Sequence, residues 1–385
     1  MKSKLIRITT VPLSLEKLLE GQLSFMKQFF EVTAVSSEKE QLLTFGKQEG
    51  VTTFYLPLTR KITPFKDIRS VWRLYRFLKR ETPQIVHTHT PKAGIVGMMA
   101  AYLAKVPFRL HTVAGLPLME ATGLKRVVLN AVERWTYRFS TRVYSNSKGL
   151  YDIILAEKLI SKNKLKIIGN GSSNGIDANY FSKKHFSEEE ITNKKIELGI
   201  SENEFVFVFV GRIVKDKGIN EMVAVFTKLQ NSHPKISLVL VGPLESDLNP
   251  ISSKTTKEIS VNSKIFWTGY QNDVRLFLAI GNVFVFPSYR EGFPNVVMQA
   301  GAMDLPAIVS DINGCNEIIH QHENGIIIPR KNETALFDAM EKLLIDKKLY
   351  NTLKQKSRSM ILNRYNRQDM WQSILNEYRI LQYNL

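Results

Sequence analysis

Apolar residues in the first 180 positions gather in short, β-branched runs separated by longer amphipathic stretches. Lys4–Thr10, Glu31–Ser36, Thr52–Leu58, Gln84–Thr90, Phe108–Ala114, Arg142–Ser147 and Lys164–Gly169 read as strands. Their apolar character is nearly continuous, as expected of strands covered on both faces. Asp67–Lys79 and Leu124–Phe139 read as helices between them. A polar stretch follows at 178–204, rich in Ser, Asn, Lys and Glu and without a strand signal. The alternation then restarts with Phe205–Val210, Ile236–Val241, Lys264–Thr268, Val283–Pro287, Ala307–Ser310 and Gly325–Pro329. Strands alternating with helices predict α/β architecture with two doubly wound parallel sheets.

The expected domains are 1–180 and 181–366. In 367–385, Met370, Trp371, Ile374, Leu375, Tyr378 and Leu381 recur at helical spacing. The pattern leaves open which half this helix packs on, a return to the first included. Ligands of such sheets bind at the carboxyl ends of the strands. Two halves facing each other would make one deep cleft.

Charge adds a partner to this picture. The 385 residues carry 53 Lys+Arg against 36 Asp+Glu, a net +17. Residues 1–180 hold 28 basic and 13 acidic side chains, and the remainder 25 and 23, so the excess lies almost wholly in the first half. An anionic surface is expected to meet that half. No nucleic-acid module is recognisable, so no nucleic acid is expected. Arg7 interrupts the apolar run that a signal peptide needs, and no stretch approaches 18 consecutive apolar residues. A cytoplasmic protein is expected, resting at most peripherally on the inner face of the membrane. The single cysteine, Cys315, permits no internal disulfide and reads as a small buried hydrophobe.

Two turns carry the candidate chemistry. Val210-Gly211-Arg212-Ile213-Val214-Lys215-Asp216-Lys217-Gly218 follows a strand and precedes a helix. Its glycines, its two cations and the helix N-terminus suit a diphosphate; a solvated basic turn fits equally well. In Pro287-Ser288-Tyr289-Arg290-Glu291-Gly292-Phe293-Pro294-Asn295-Val296, Glu291 sits at a strand's carboxyl end, placed to accept from sugar hydroxyls or to face a helix dipole. Gln299 lies further along the same helix.

Together these segments resemble the retaining GT-B glycosyltransferases of family 4, also called glycosyltransferase group 1, of the bacterial surface-polysaccharide type. Asn174-Gly175-Ile176-Asp177, Leu240-Val241-Gly242, Thr268-Gly269-Tyr270 with Asp273-Val274, and Asn324-Gly325 extend the likeness over nearly the whole chain. The resemblance implies a GT-B fold, with two Rossmann-like domains facing a central cleft. It implies a retaining hexosyl- or N-acetylhexosaminyltransferase that takes its sugar from a nucleotide-sugar donor, expected to be a UDP-sugar. Arg212, Lys217 and Glu291 become the implied catalytic residues. Gly211, Gly269, Tyr270, Val274, Gly292, Phe293, Pro294, Asn295, Val296 and Gln299 join them around the donor. Gly21, His89, Lys92, Ala114 and Gly115 are implied on the acceptor side.

Two positions depart from the family pattern. Gln299 stands where a second glutamate is usual, and Ala114 where a histidine is usual. No Asp-x-Asp occurs, so neither a metal nor a cofactor is expected. The implied acceptor is a glycan or a lipid-linked one. A nucleotide-sugar epimerase of the same architecture is the alternative. For the basic half, an anionic membrane surface is the expected partner. Arg69, Arg73, Arg76 and Arg80 line one helix face; Ile68, Val71, Trp72, Tyr75 and Leu78 are expected to pack on the sheet from another. Leu116-Pro117-Leu118-Met119 is expected to offer an apolar loop beside Lys125, Arg126, Arg134 and Arg138.

Overall fold

Every expected strand run contains a strand. The computed structural model describes residues 2–59, 63–116, 118, 121–245 and 249–383. Among them, β1 (Lys4–Ile8), β2 (Glu31–Ser36), β3 (Thr52–Tyr55), β4 (Ile85–His89), β5 (Phe108–Val113), β6 (Arg142–Ser145) and β7 (Leu165–Ile167) form a parallel sheet in the order β3-β2-β1-β4-β5-β6-β7. A second parallel sheet takes β8 (Phe205–Val210), β9 (Ile236–Val241), β10 (Ile265–Trp267), β11 (Val283–Phe286), β12 (Ala307–Ser310) and β13 (Gly325–Ile328) in the order β10-β9-β8-β11-β12-β13. Each order reverses once, between β1 and β4 and between β8 and β11. At such a point, connections leave to opposite sides and open a crevice above the strand ends.

The chain divides into two compact units. One comprises Met1–Gly175 with Arg367–Leu385, and the other Ile176–Asn366. The polar stretch 178–204 includes a helix, Glu188–Leu198, that belongs to the second unit. Its start is legible once seen: Ser187 and Glu190 form a reciprocal capping box. The C-terminal helix, Arg367–Tyr383, joins the first unit. There Met370, Ile374, Leu375, Tyr378 and Leu381 share a core with Leu5, Ile85, Leu110 and Tyr144. Burying five such side chains contributes on the order of 10 kcal/mol before entropy is counted.

Two expectations about the basic half are corrected. The helix runs Pro64–Glu81, and its packed seam is Val71, Leu74, Phe77 and Leu78. Ile68 and Trp72 do not pack on the sheet; they are 67% and 58% exposed, as is Phe65 at 90%. Apolar residues occupy more than half of this helix's circumference, so periodicity alone does not choose the buried side. The expected apolar loop is also wrong where it is described. Leu116 and Leu118 are buried with Tyr137, Val143, Leu150 and Ile154; Pro117 and Met119 lie outside the described residues.

Candidate active site

Because β8 and β11 are neighbours at the second sheet's switch point, their following turns meet. Lys217 closes a 3-10 turn, Lys215–Lys217, and the helix Ile219–Ser232 starts immediately after Gly218. Gly218 has φ 71°, and a Cβ there would stand 2.2 Å from the carbonyl oxygen of Pro287. Only glycine lets the two turns come this close. Tyr289 N donates to Asp216 O (2.8 Å), and Arg290 pairs with Asp216 (2.9 Å). This lacing brings Lys217 Nζ onto Glu291 Oε1, with both side chains largely buried at 16% and 15% exposure. Ser288 Oγ donates to the same oxygen (2.8 Å), and Lys217 also lies 5.1 Å from the Phe286 ring centroid. Asn313 Nδ2 holds the backbone carbonyl of Glu291.

Arg212 follows Gly211 at the end of β8. Its guanidinium pairs with Glu245 (2.7 Å), and the side chains are 49% and 34% exposed. Gly292, Phe293 and Pro294 lead into the helix Asn295–Ala302, with Pro294 at its cap. Phe293 is buried, edge-on to Tyr365 at 5.3 Å between centroids. Asn295, Val296 and Gln299 are half-buried on that helix. Gly269 follows β10 and accepts from Gly242 N (2.8 Å); Tyr270 beside it is exposed, and Val274 caps the short helix Arg275–Ala279. The turns after β8, β10 and β11 thus hold these donor-side candidates at the carboxyl end of one sheet. Cys315 is fully buried, and burial pushes its thiol well up, with the Glu291 charge adding to the shift.

The first-unit candidates are more enclosed. His87 and His89 stack with ring centroids 4.5 Å apart, and His87 meets the Tyr378 ring of the C-terminal helix edge-on at 5.8 Å. Both ring nitrogens of His87 are bonded, to Tyr378 Oη (2.6 Å) and Thr112 Oγ1 (2.7 Å). His89 is buried and bonded to Arg7. Burial holds both imidazoles well below the usual histidine range, and the Arg7 charge adds to this. His111 bonds Thr88 (2.8 Å) and burial brings it down to about 4. Lys92 pairs with Asp67. Gly21 has φ 73° and starts the helix Gln22–Met26; a Cβ would stand 2.8 Å from the Trp371 ring, so the space it leaves is used by that ring. Ala114 and Gly115 follow β5, half-buried, with open space beside Gly115.

Reading the sequence assigned no site role to Arg7, Gln22, Tyr378, Ser288 or Asn313. For Arg7 a signal was present: a lone charge at an inward position of a buried strand. Among the described residues, no group of three or more His, Cys, Asp or Glu side chains is placed to hold a metal.

Comparison with known proteins gives concordant matches. The family model described as glycosyl transferases group 1 matches residues 190–360, and a glycosyl transferase 4-like domain matches residues 24–171. The chain is 31% identical over 376 residues to the capsular polysaccharide biosynthesis glycosyltransferase CapM of Staphylococcus aureus, covering 97% of this chain and 96% of that one. It is 30% identical over 381 residues to the Escherichia coli UDP-Gal:alpha-D-GlcNAc-diphosphoundecaprenol alpha-1,3-galactosyltransferase, covering 95% of each. In structure it resembles HepE of Anabaena, solved with UDP-glucose, at a TM-score of 0.82 and 16% identity over 98% of this chain and 99% of that one.

Proposed function

Because this chain belongs to the group 1 glycosyl transferases, as a GT-B glycosyltransferase of capsular or related surface-polysaccharide synthesis, we propose that its donor is a UDP-sugar and its acceptor a lipid-linked sugar. We propose further that transfer retains the anomeric configuration and needs no metal. The observation that carries the reading is Lys217 held against Glu291 at the β8–β11 switch point. Phosphate oxygens entering there take Arg212 from Glu245 and share Lys217 with Glu291. Two cations then face the charge that grows on the departing diphosphate. Glu291 turns to the sugar hydroxyls, and Gln299 accepts from the ribose. The bond from the anomeric carbon to the diphosphate oxygen breaks as the acceptor oxygen bonds that carbon on the same face. The acceptor's proton leaves on a phosphate oxygen of UDP. The UDP-galactose and diphosphoundecaprenol in the E. coli relative's name support the substrate classes. Calorimetry tests the assignment of Glu291. Glu291→Gln should still bind UDP and lose transfer; equal loss of both would move Glu291 to the nucleotide.

The same reading places an anionic bilayer against the first unit. On the helix Pro64–Glu81, Arg69, Arg73, Arg76 and Arg80 are exposed and lie within about 60° of one another at 100° per residue. Phe65, Ile68, Trp72 and Tyr75 occupy the adjoining sector of about 80°. This helix packs beside Pro91–Leu103, which packs beside Gly123–Phe139. The latter two expose Tyr102, Leu103, Leu124, Val127 and Trp135. Aromatic and aliphatic side chains rimmed by arginine suit the headgroup boundary, with about 1 kcal/mol from each cation near the surface. No described helix is long and apolar enough to cross a membrane. Sedimentation with anionic vesicles should fall with salt and weaken when Phe65 and Trp72 become serine. Equal binding to neutral vesicles would remove this face from the membrane.

A further inference from the structure

Arg7 stands within β1 with its side chain fully buried. Its Nη1 donates to Tyr378 Oη (2.9 Å), and its Nη2 to Gln22 Oε1 (2.6 Å) and His89 Nε2 (2.8 Å). All three partners are neutral groups. Among the described residues no carboxylate pairs with the guanidinium, and burial pulls its pKa down.

A guanidinium only donates, so each of its partners accepts. His89 Nε2 is therefore the bare ring nitrogen, and the neutral ring carries its proton on Nδ1. Tyr378 accepts from Arg7 and turns its own proton to His87 Nδ1. His87 Nε2 then donates to Thr112 Oγ1. One cation sets the direction of the whole chain and both histidine tautomers.

Beside it lies a cavity of about 10 Å³, whose wall includes Arg7, His89, Asn146, Ser173, Met370 and Ile374. Four buried polar atoms of that wall meet no partner among the described residues: Arg7 Nε, His89 Nδ1, Asn146 Oδ1 and Ser173 Oγ. The first two are N–H donors and the serine hydroxyl can donate. Turning the Asn146 amide over offers an N–H there as well. The volume holds about one water-sized sphere. A water molecule there would leave the Arg7 charge without a counter-ion, and buried charges are ordinarily paired.

We propose that this cavity is an anion site for a single monatomic ion of the chloride class, bound by Arg7, His89 and Ser173. The ion neutralises the buried guanidinium. Through Tyr378, Met370 and Ile374 it also braces the C-terminal helix against the sheet. The site lies wholly within the first unit, whereas the residues proposed above to hold the donor belong to the second.

Thermal melts at fixed ionic strength, with chloride exchanged for the larger gluconate, test the proposal. Going from about 5 to about 200 mM chloride should raise the melting temperature by roughly 2–4 °C. Arg7→Met should abolish the response. Should that variant fail to fold, Ser173→Ala keeps the charge and should raise the chloride concentration for half-effect roughly fivefold. Crystals soaked in bromide should show an anomalous peak within hydrogen-bonding reach of Arg7 Nε and His89 Nδ1. A response equal in chloride and gluconate, a water in place of the bromide peak, or stabilisation by phosphate alone would overturn it.

Discussion

Replacing Lys217 and Arg212 by alanine, one at a time, should separate turnover from stability. Both side chains end in an ion pair at the carboxyl end of the second sheet, but the pairs differ in burial. Arg212 and Glu245 are 49% and 34% exposed. Pairs of that kind contribute about 0–1 kcal/mol, so Arg212→Ala should melt within about 4 °C of wild type. Lys217 and Glu291 are only 16% and 15% exposed. Removing Lys217 strands a largely buried carboxylate with Ser288 as its remaining side-chain partner. Breaking a fully buried pair costs about 3–5 kcal/mol, and residual solvent screening reduces this to roughly 2–3 kcal/mol here. In a unit this size that lowers the melting temperature by roughly 4–12 °C. Lys217→Ala/Glu291→Ala should recover at least about 1 kcal/mol relative to additivity, since neither charge is stranded. Each cation, in contrast, should cost turnover at least about 100-fold through its lost phosphate contact. The assays are calorimetric melting without nucleotide and initial rates with the UDP-sugar. Equal melting temperatures for the two single variants would refute the burial argument. Wild-type rates in both would misplace the phosphate site.

Gly218→Ala forces a Cβ onto the Pro287 carbonyl at a positive φ; it should destabilise by at least about 2 kcal/mol and weaken UDP binding, read by melting and calorimetry together. Burial lowers the His111 pKa to about 4, so the unfolded chain binds the extra proton as pH falls from 6.5 towards 4, and stability is lost over that window by an amount on the order of 3 kcal/mol. His111→Gln should flatten the dependence of melting temperature on pH there, and an unchanged slope would count against it. Glu133 has the opposite sign. Burial raises its pKa to about 7, so its contribution is lost as pH rises from about 4.5 to 7. Glu133→Gln should therefore raise the melting temperature at about pH 8 and leave it nearly unchanged at about pH 5.

Both sheets were legible in the sequence because parallel strands buried on two faces carry unbroken apolar runs, such as Phe205–Val210 and Ile236–Val241. The turns at Gly211–Gly218 and Pro287–Asn295 were legible as motifs. Their meeting was not, because it depends on β8 lying beside β11. Neither spacing nor composition places Lys217 on Glu291. The helix Pro64–Glu81 failed for a different reason: its apolar residues serve two surfaces, and a period of 3.6 residues does not say which faces the sheet. The Arg7 network was the least legible feature. Arg7 and Tyr378 are 371 positions apart in the chain; the lone charge in a buried strand marks Arg7 as unusual, but nothing in the sequence pairs it with Tyr378, which reads as an ordinary core aromatic.

The return of Arg367–Tyr383 to the first unit sets an order of events during synthesis. All of Ile176–Asn366 leaves the ribosome before the helix that completes the core of the first sheet. Until then, the face built from Leu5, Ile85, Leu110 and Tyr144 lacks its cover, and an exposed apolar face of this kind is a target for chaperones and for aggregation. The second unit has no such debt to later sequence. A fragment limited to Ile176–Asn366 is therefore the natural starting point for a minimal folded unit, whereas a fragment stopping at Gly175 carries a half-finished core. Nonsense mutations anywhere after Asn366 would strike the amino-terminal unit and leave the nearer one whole.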